Sequence, residues 1–284
     1  MSQIALVTGT SSGMGLHTAV ELARRGLTVV ATMRDTGRRG ALETAAGEAG
    51  VTVDVRPLDV TDHDAARRCV EGVLADHGAL DVLLNNAGRG AVATAEQLSL
   101  DDVRAQLEVN YLAPVALTKL VLPHMRERGS GRVLTVTSVG GAVGQPFADA
   151  YCGAKFAVEG FMQSLAPVAL AHGVRVSVVE PAAVASDFVA NVARPEVADD
   201  AYAPQLRAYL ARTEGAFAAA QSSVEASNAI ADAVLSEEYR FRWQTSAGAS
   251  AFVGASLADL DGSRVLGVTR GWIEAAPTGA PPGN

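Results

Sequence analysis

The chain has 284 residues, 49% hydrophobic and 19% charged, enough to fill the core of one large α/β domain and too apolar for a disordered segment. A formal charge of −8 excludes the clustered cationic surface that nonspecific nucleic-acid or anionic-membrane binding needs. Cys69 and Cys152, far apart and without metal-ligand spacing, predict a reduced protein with no disulfide and no metal site. No basic leader or cleavage site precedes the first apolar segment, and no apolar run approaches the roughly 18 residues of a membrane span. The expectation is a soluble cytoplasmic protein.

Short apolar runs alternate with amphipathic stretches along the chain. Segment 4–9 ("IALVTG") predicts the first strand, and 14–25 the first helix. Between them Gly9, Gly13 and Gly15 supply a tight turn, close backbone approach to a pyrophosphate, and close helix–strand packing. The helix N-terminus behind them would offer unpaired N–H groups to phosphates. The spacing is G-x-x-x-G-x-G, so a simple turn is the alternative. Segment 28–33 predicts the second strand. Met33 stands where an acid would bind the ribose hydroxyls of NAD, and Arg34 follows. With the Ser11 and Ser12 hydroxyls, Arg34 favours the 2′-phosphate of NADP; a solvent-facing arginine is the alternative.

Segment 52–60 predicts the third strand and ends near Asp59, a carboxylate able to accept from an adenine amino group. Helix 62–77 leads to a fourth strand, 81–88, closing on "NNAG". Asn85 there either ties neighbouring strands together or lines the cleft. A long helix over 101–128 contains Asn110, a poor helix former whose amide could hold a water beside a lysine. The fifth strand, 132–139, carries Ser138 at the carboxyl edge, where open α/β sheets bind ligands. Tyr151 follows in helix 151–172, and Lys155 comes one turn later on the same face. A free phenol has a pKa near ~10; a neighbouring ammonium would lower it and fit it for proton exchange while hydride moves to or from a nicotinamide. Segment 175–184 predicts a sixth strand, followed by a looser helical excursion, a helix in "VEASNAIADAVLS" and a final strand over 241–246.

Strands apolar on both faces and separated by helices predict an α/β fold: one Rossmann-like, doubly wound parallel sheet over residues 1–275. Residues 187–220 would form substrate-lid helices, and the Pro/Gly-rich 276–284 a disordered tail.

In this order and spacing "TGTSSGMG", "NNAG", Asn110, Ser138 and "YCGAK" resemble the short-chain dehydrogenase/reductase family over about residues 1–190. The resemblance implies a catalytic tetrad of Asn110, Ser138, Tyr151 and Lys155. It implies that Gly9, Gly13 and Gly15 cradle the pyrophosphate, that Asp59 meets adenine, and that Asn86, Ala87 and Gly88 flank the adenosine ribose. Met14, Val60, Pro181, Val184 and Ser186 join this cofactor set. Within the family "ATMRD" and "PFADAYCGAKFAVEGFMQSLA" are most similar to the 17-beta-hydroxysteroid dehydrogenase type 1 and retinol dehydrogenase branch, which implies a homodimer or homotetramer that prefers NADP(H) over NAD(H).

Two features depart from the family pattern. Ala182 replaces a glycine after Pro181, which would restrict the loop carrying Val184 and Ser186, and Pro167 should kink or end its helix. The expected reaction interconverts an apolar secondary alcohol and a ketone. Ser138, Gln145, Phe147, Tyr151 and Phe188 would touch substrate, with Tyr202, Leu206 and Tyr209 as further wall candidates. A non-redox use of the same tyrosine (epimerase, dehydratase or cyclase) and a cofactor-sensing scaffold are the alternatives.

Overall fold

The computed structural model describes residues 2–186, 192, 197, 200–218 and 220–274. Phe188 and the tail 276–284 lie outside the described residues. Seven strands, β1 (Ile4–Thr8), β2 (Thr28–Met33), β3 (Asp54–Pro57), β4 (Val82–Asn85), β5 (Gly131–Val136), β6 (Val174–Glu180) and β9 (Arg242–Gln244), form one parallel sheet. Their order is β3-β2-β1-β4-β5-β6-β9. A separate parallel pair joins β7 (Val184–Ala185) to β8 (Gln221–Ser222). Each of the seven expected strand segments contributes one strand of the sheet.

Both faces of the sheet are buried, which is why its strands read as continuous apolar runs. The pleat sends Ala5 and Val7 to one side, where they meet Leu16, Ala19 and Leu22 of α1 (Gly13–Arg24) and Ile230 and Val234 of α8 (Ser223–Leu235). Ile4 and Leu6 point to the other side. There they join a core with Val70 and Val73 of α3 (His63–His77), Leu117 and Val121 of α5 (Ala113–Arg128), and Val158 and Met162 of α6 (Asp149–Leu170).

Helix boundaries follow local chemistry. Asp62 caps α3 by accepting from Asp64 N and Ala65 N, and Gly78 ends it in the left-handed conformation. Ser99 and Asp102 make a reciprocal capping box at the start of α4 (Leu100–Leu107).

The helix expected over 101–128 is interrupted. Residues Glu108–Leu112 wind as one π-helical turn between α4 and α5, centred on Asn110. Pro167, expected to kink or end its helix, lies inside α6, which runs on past it to Leu170. Three helices are absent from the sequence reading. In α2 (Gly40–Glu48) only Leu42 and Ala46 are buried, too thin a stripe to register. In α9 (Ala247–Leu257), "AGASAFVGASL", small and apolar residues run all round the helix and leave no period. The short α10 (Ser263–Arg270) follows it. Within the expected lid, the described part contains α7 (Ala203–Ala218).

Candidate active site

The strand order reverses between β1 and β4, and ligands of open α/β sheets bind at such a switch point. The hydroxyl of Thr8 closes that junction: its Oγ1 accepts from the backbone N–H of Asn86 and of Ala87, each at 3.0 Å. Asn86 completes the tie, with Nδ2 donating to the carbonyls of Thr8 (2.9 Å) and Gly9 (3.1 Å). Glycine is required here on two counts. Gly9 has φ +71°, and a Cβ on it would sit 2.7 Å from Ala87 Cα. A Cβ on Gly15 would lie 2.2 Å from the Gly9 carbonyl oxygen. No side chain caps α1, so its first-turn N–H groups remain available at the cleft.

That cleft, about 710 Å³, brings together Gly9, Ser11, Ser12, Gly13, Met14, Gly15, Arg34, Asp59, Val60, Asn86, Ala87, Gly88 and Ser186. Several further residues line it, Arg38 among them, which the sequence reading did not single out. Met33 is buried at the end of β2, where an acid was sought, and Arg38 stands beyond the next turn. Asp35 also lines the cleft, and its side chain caps that turn by accepting from Gly37 N at 2.9 Å. Arg34 and Arg38 are exposed and make no ion pair among the described residues. Thr61, hydrogen-bonded to Asp59 through hydroxyl (2.7 Å) and backbone (3.0 Å), holds the Asp59 carboxyl below its ordinary range, and the charge of Arg34 adds to this. Asn85 resolves to a structural tie: it is 2% exposed, and its amide faces the hydroxyls of Thr118 and Thr135.

A second cavity, about 730 Å³ and mostly apolar, opens beside the cleft and shares Met14, Asn86, Gly88, Gly90 and Ser186 with it. Ser138, Tyr151 and Lys155 meet here, with Pro181 and Val184 nearby in its wall. Ser138 begins the short turn Val139–Gly141, accepts from Gly140 N at 3.0 Å and is hydrogen-bonded to Tyr151. Lys155, 5% exposed, donates to the Val136 carbonyl at 3.0 Å, and its Nζ lies 5.8 Å from the centre of the Tyr151 ring. Asn110 faces the same place, since a Cβ on Gly88 would lie 3.1 Å from Asn110 Oδ1 and 3.7 Å from Lys155 Nζ. The Asn110 amide is held by the Arg89 backbone on both sides and by Gln106 Oε1 at 2.9 Å. The π turn makes that aim possible by displacing one residue from the regular helical ladder.

Burial dominates the electrostatics of the pair. Burial pushes the Tyr151 phenol well above its ordinary value, and the Ser138 hydrogen bond only partly opposes this. Lys155 is buried too, and its own pKa is pulled down to about 8 by burial, against the charge of Glu159. Burial likewise lifts the Cys152 thiol to about 11. Both cysteines are free and buried.

The expected substrate residues separate into two groups. Ser138, Gln145, Tyr151 and Tyr209 line the cavity. Phe147, whose φ is 61°, stands behind it and packs edge-on against Tyr209 at 5.6 Å. Tyr202 donates instead to Glu96 at 2.9 Å, and Leu206 is core. Ala182 lies in the cavity wall outside the left-handed region, so its backbone needs no glycine. The wall also includes Val92, Phe252, Arg212 and Trp272. Phe252 of α9 stacks on Trp272 at 5.6 Å, and Arg212 of α7 lies over the same indole. Nothing local in the sequence marks these residues, because tertiary contacts alone bring them to the site. Among the described residues no acidic, histidine or cysteine group could hold a metal, and no helix is long and apolar enough to cross a membrane.

A seven-stranded doubly wound sheet, a glycine turn at its switch point and a Ser–Tyr–Lys cluster at the carboxyl edge define a dinucleotide-fold oxidoreductase architecture. The family described as short chain dehydrogenase matches residues 3–197, and the chain belongs to that family. It is 44% identical over 187 residues to bovine (Bos taurus) retinol dehydrogenase 8, covering 64% of this chain and 59% of that one. It is 41% identical over 195 residues to human (Homo sapiens) 17-beta-hydroxysteroid dehydrogenase type 1, covering 66% and 59%. The chain thus aligns with under two thirds of the length of these relatives. A short-chain dehydrogenase from Streptomyces avermitilis superposes with a TM-score of 0.80 at 30% identity, over 95% of this chain and 98% of that one.

The Thr8 junction is open to a direct test. Thr8→Val keeps the shape but orphans two part-buried N–H groups, a loss of about 2–4 kcal/mol. Thermal unfolding should show a Tm roughly 5–15 °C lower, and an unchanged Tm would remove Thr8 from its place as the clasp.

Proposed function

We propose that the chain is an NADP(H)-dependent oxidoreductase that interconverts a secondary alcohol and a ketone on a bulky, largely apolar substrate. The observation that carries this reading is the hydrogen-bonded Ser138–Tyr151 pair, with Lys155 behind it, where a polar cleft meets an apolar cavity of about 730 Å³. A volume in this range suits a multi-ring or long-chain ligand. The relatives named for retinol and for a hydroxysteroid support the same substrate class.

The cofactor fits the residues present. The close Gly9–Gly15 cradle and the uncapped start of α1 suit a pyrophosphate, and the Asp59 carboxylate suits an adenine amino group. Arg34 and Arg38, without acidic partners among the described residues, suit a 2′-phosphate. The bound nicotinamide supplies or takes up the hydride. Ser138 holds the substrate oxygen beside the phenol. In ketone reduction Tyr151 gives its hydroxyl proton to that oxygen, and in alcohol oxidation it takes the proton back. The Lys155 ammonium stabilises the phenolate that forms during reduction. Asn110 fixes the Arg89 backbone at the cleft and keeps the floor around Gly88 in place.

Two outcomes test this reading. Tyr151→Phe should cut turnover of a ketone panel by roughly 100- to 10,000-fold while leaving the NADPH Kd nearly unchanged; in the parent enzyme the reduction rate should fall as pH rises through about 8, where Lys155 loses its proton. Undiminished Tyr151→Phe activity would overturn the assignment, and a flat nicotinamide absorbance despite NADPH binding would favour the non-redox alternative. Replacing Arg34 and Arg38 together by Ala should weaken NADPH by roughly 10- to 100-fold, with little change for NADH, as calorimetry can read.

A further inference from the structure

We propose that a buried ion cluster, Glu159 with Arg242 and Glu180, sets the protonation range of Tyr151 and Lys155, with Glu159 as the positioning residue. The inference rests on the reading of Tyr151 and Lys155 as the acid–base pair. Tyr151, Lys155 and Glu159 follow one another at intervals of four on α6, so one helix face carries all three. Glu159 is 2% exposed, and its Oε2 accepts from Arg242 Nη1 at 2.5 Å. The same guanidinium nitrogen donates to Glu180, which is fully buried and also accepts from Gln244 at 2.5 Å. Two carboxyls therefore share one guanidinium.

The second oxygen of Glu159 has no hydrogen-bond partner among the described residues. It lies under the Ser138–Gly141 turn, so close that a Cβ on Gly141 would sit 2.2 Å from it. Glu159 thus touches the turn that carries Ser138 and stands one helical turn from Lys155. A buried acceptor left without a donor is costly, and its field is little screened. Among the described residues Lys155 also faces the Val136 carbonyl, the Tyr151 ring and Asn110. Tyr151 faces Ser138, Cys152 and Tyr209 besides Glu159. From the strands, the charged groups that meet Glu159 are Arg242 of β9 and Glu180 of β6.

The sign is the same for both members of the pair. Burial strips charge from Lys155, and the carboxylate of Glu159 works to keep the ammonium. That carboxylate also opposes ionisation of the phenol. Glu159→Gln keeps the shape and leaves Glu180 as the sole carboxylate on Arg242, farther along the sheet. Both titrations should then move to lower pH.

The experiment compares the parent enzyme, Glu159→Gln, Glu159→Asp and Glu180→Gln. The alkaline limb of ketone reduction should fall by on the order of one pH unit in Glu159→Gln, stay near the parent position in Glu159→Asp, and fall by less in Glu180→Gln. The ultraviolet titration of tyrosinate in cofactor-free protein, with Tyr151→Phe as the blank, should move in the same direction. Variants that lose rate or Tm with both titrations in place would overturn the proposal and leave Glu159 a packing residue. Should Glu159→Gln fail to fold, an unmoved titration in Glu180→Gln would overturn it equally. A parent enzyme that reduces no ketone would sink the functional reading, while the tyrosinate titration would still decide the role of the cluster.

Discussion

The site depends on one hydroxyl spanning the point where the strand order reverses. At a switch point the connections on the two sides leave in opposite directions, and nothing in the β ladder holds the loops after β1 and β4 together. Thr8 Oγ1 supplies that hold by accepting two backbone N–H groups, and Asn86 returns two donations to the β1 end. The glycines become intelligible from there. With the loops drawn so close, a side chain at position 9 or 15 would collide with main chain. The cleft floor is then built of backbone, with the small faces of Ala87 and Gly88 left open toward a ligand.

A second constraint is the burial of Lys155. An ammonium taken out of water needs compensation. Here it comes from a single carbonyl, the face of a phenol ring and a carboxylate one turn away. The arrangement leaves the amine near the edge of protonation at neutral pH, not firmly charged. The phenol beside it is driven toward its neutral form, which suits a group that must first give a proton away.

Much of this was legible in the sequence, for identifiable reasons. The strands are visible because burial on both faces makes them apolar throughout, and the glycine turn because no other residue tolerates those backbone approaches. Ser138, Tyr151 and Lys155 are legible because one strand end and one helix turn bring them together across a short stretch of chain. The rest depends on contacts that local pattern does not encode. Arg38 reaches the cleft only through the turn that Asp35 caps. Phe252 and Trp272 come from a C-terminal segment whose helix has no amphipathic period. Arg242 finds Glu159 from 83 positions away. The spacing of Tyr151 and Lys155 says nothing of how deeply the phenol is buried, and it is that burial which pushes its pKa up.

The turn at Glu108–Leu112 has a consequence for how this helix can change. A π turn amounts to one residue more than the α-helical path needs, and it gives up regular hydrogen bonds to accommodate it. Losing a single residue there would remove the surplus and bring α4 and α5 into one α-helical register, although Pro114, which has no N–H, would still leave a gap in the ladder. Every side chain on one side of the deletion would then swing by about 100° relative to the other. Asn110 would leave Gly88 and Arg89, and the floor of the cleft would lose its support. The surplus residue of the π turn is thus what keeps the Asn110 amide in place.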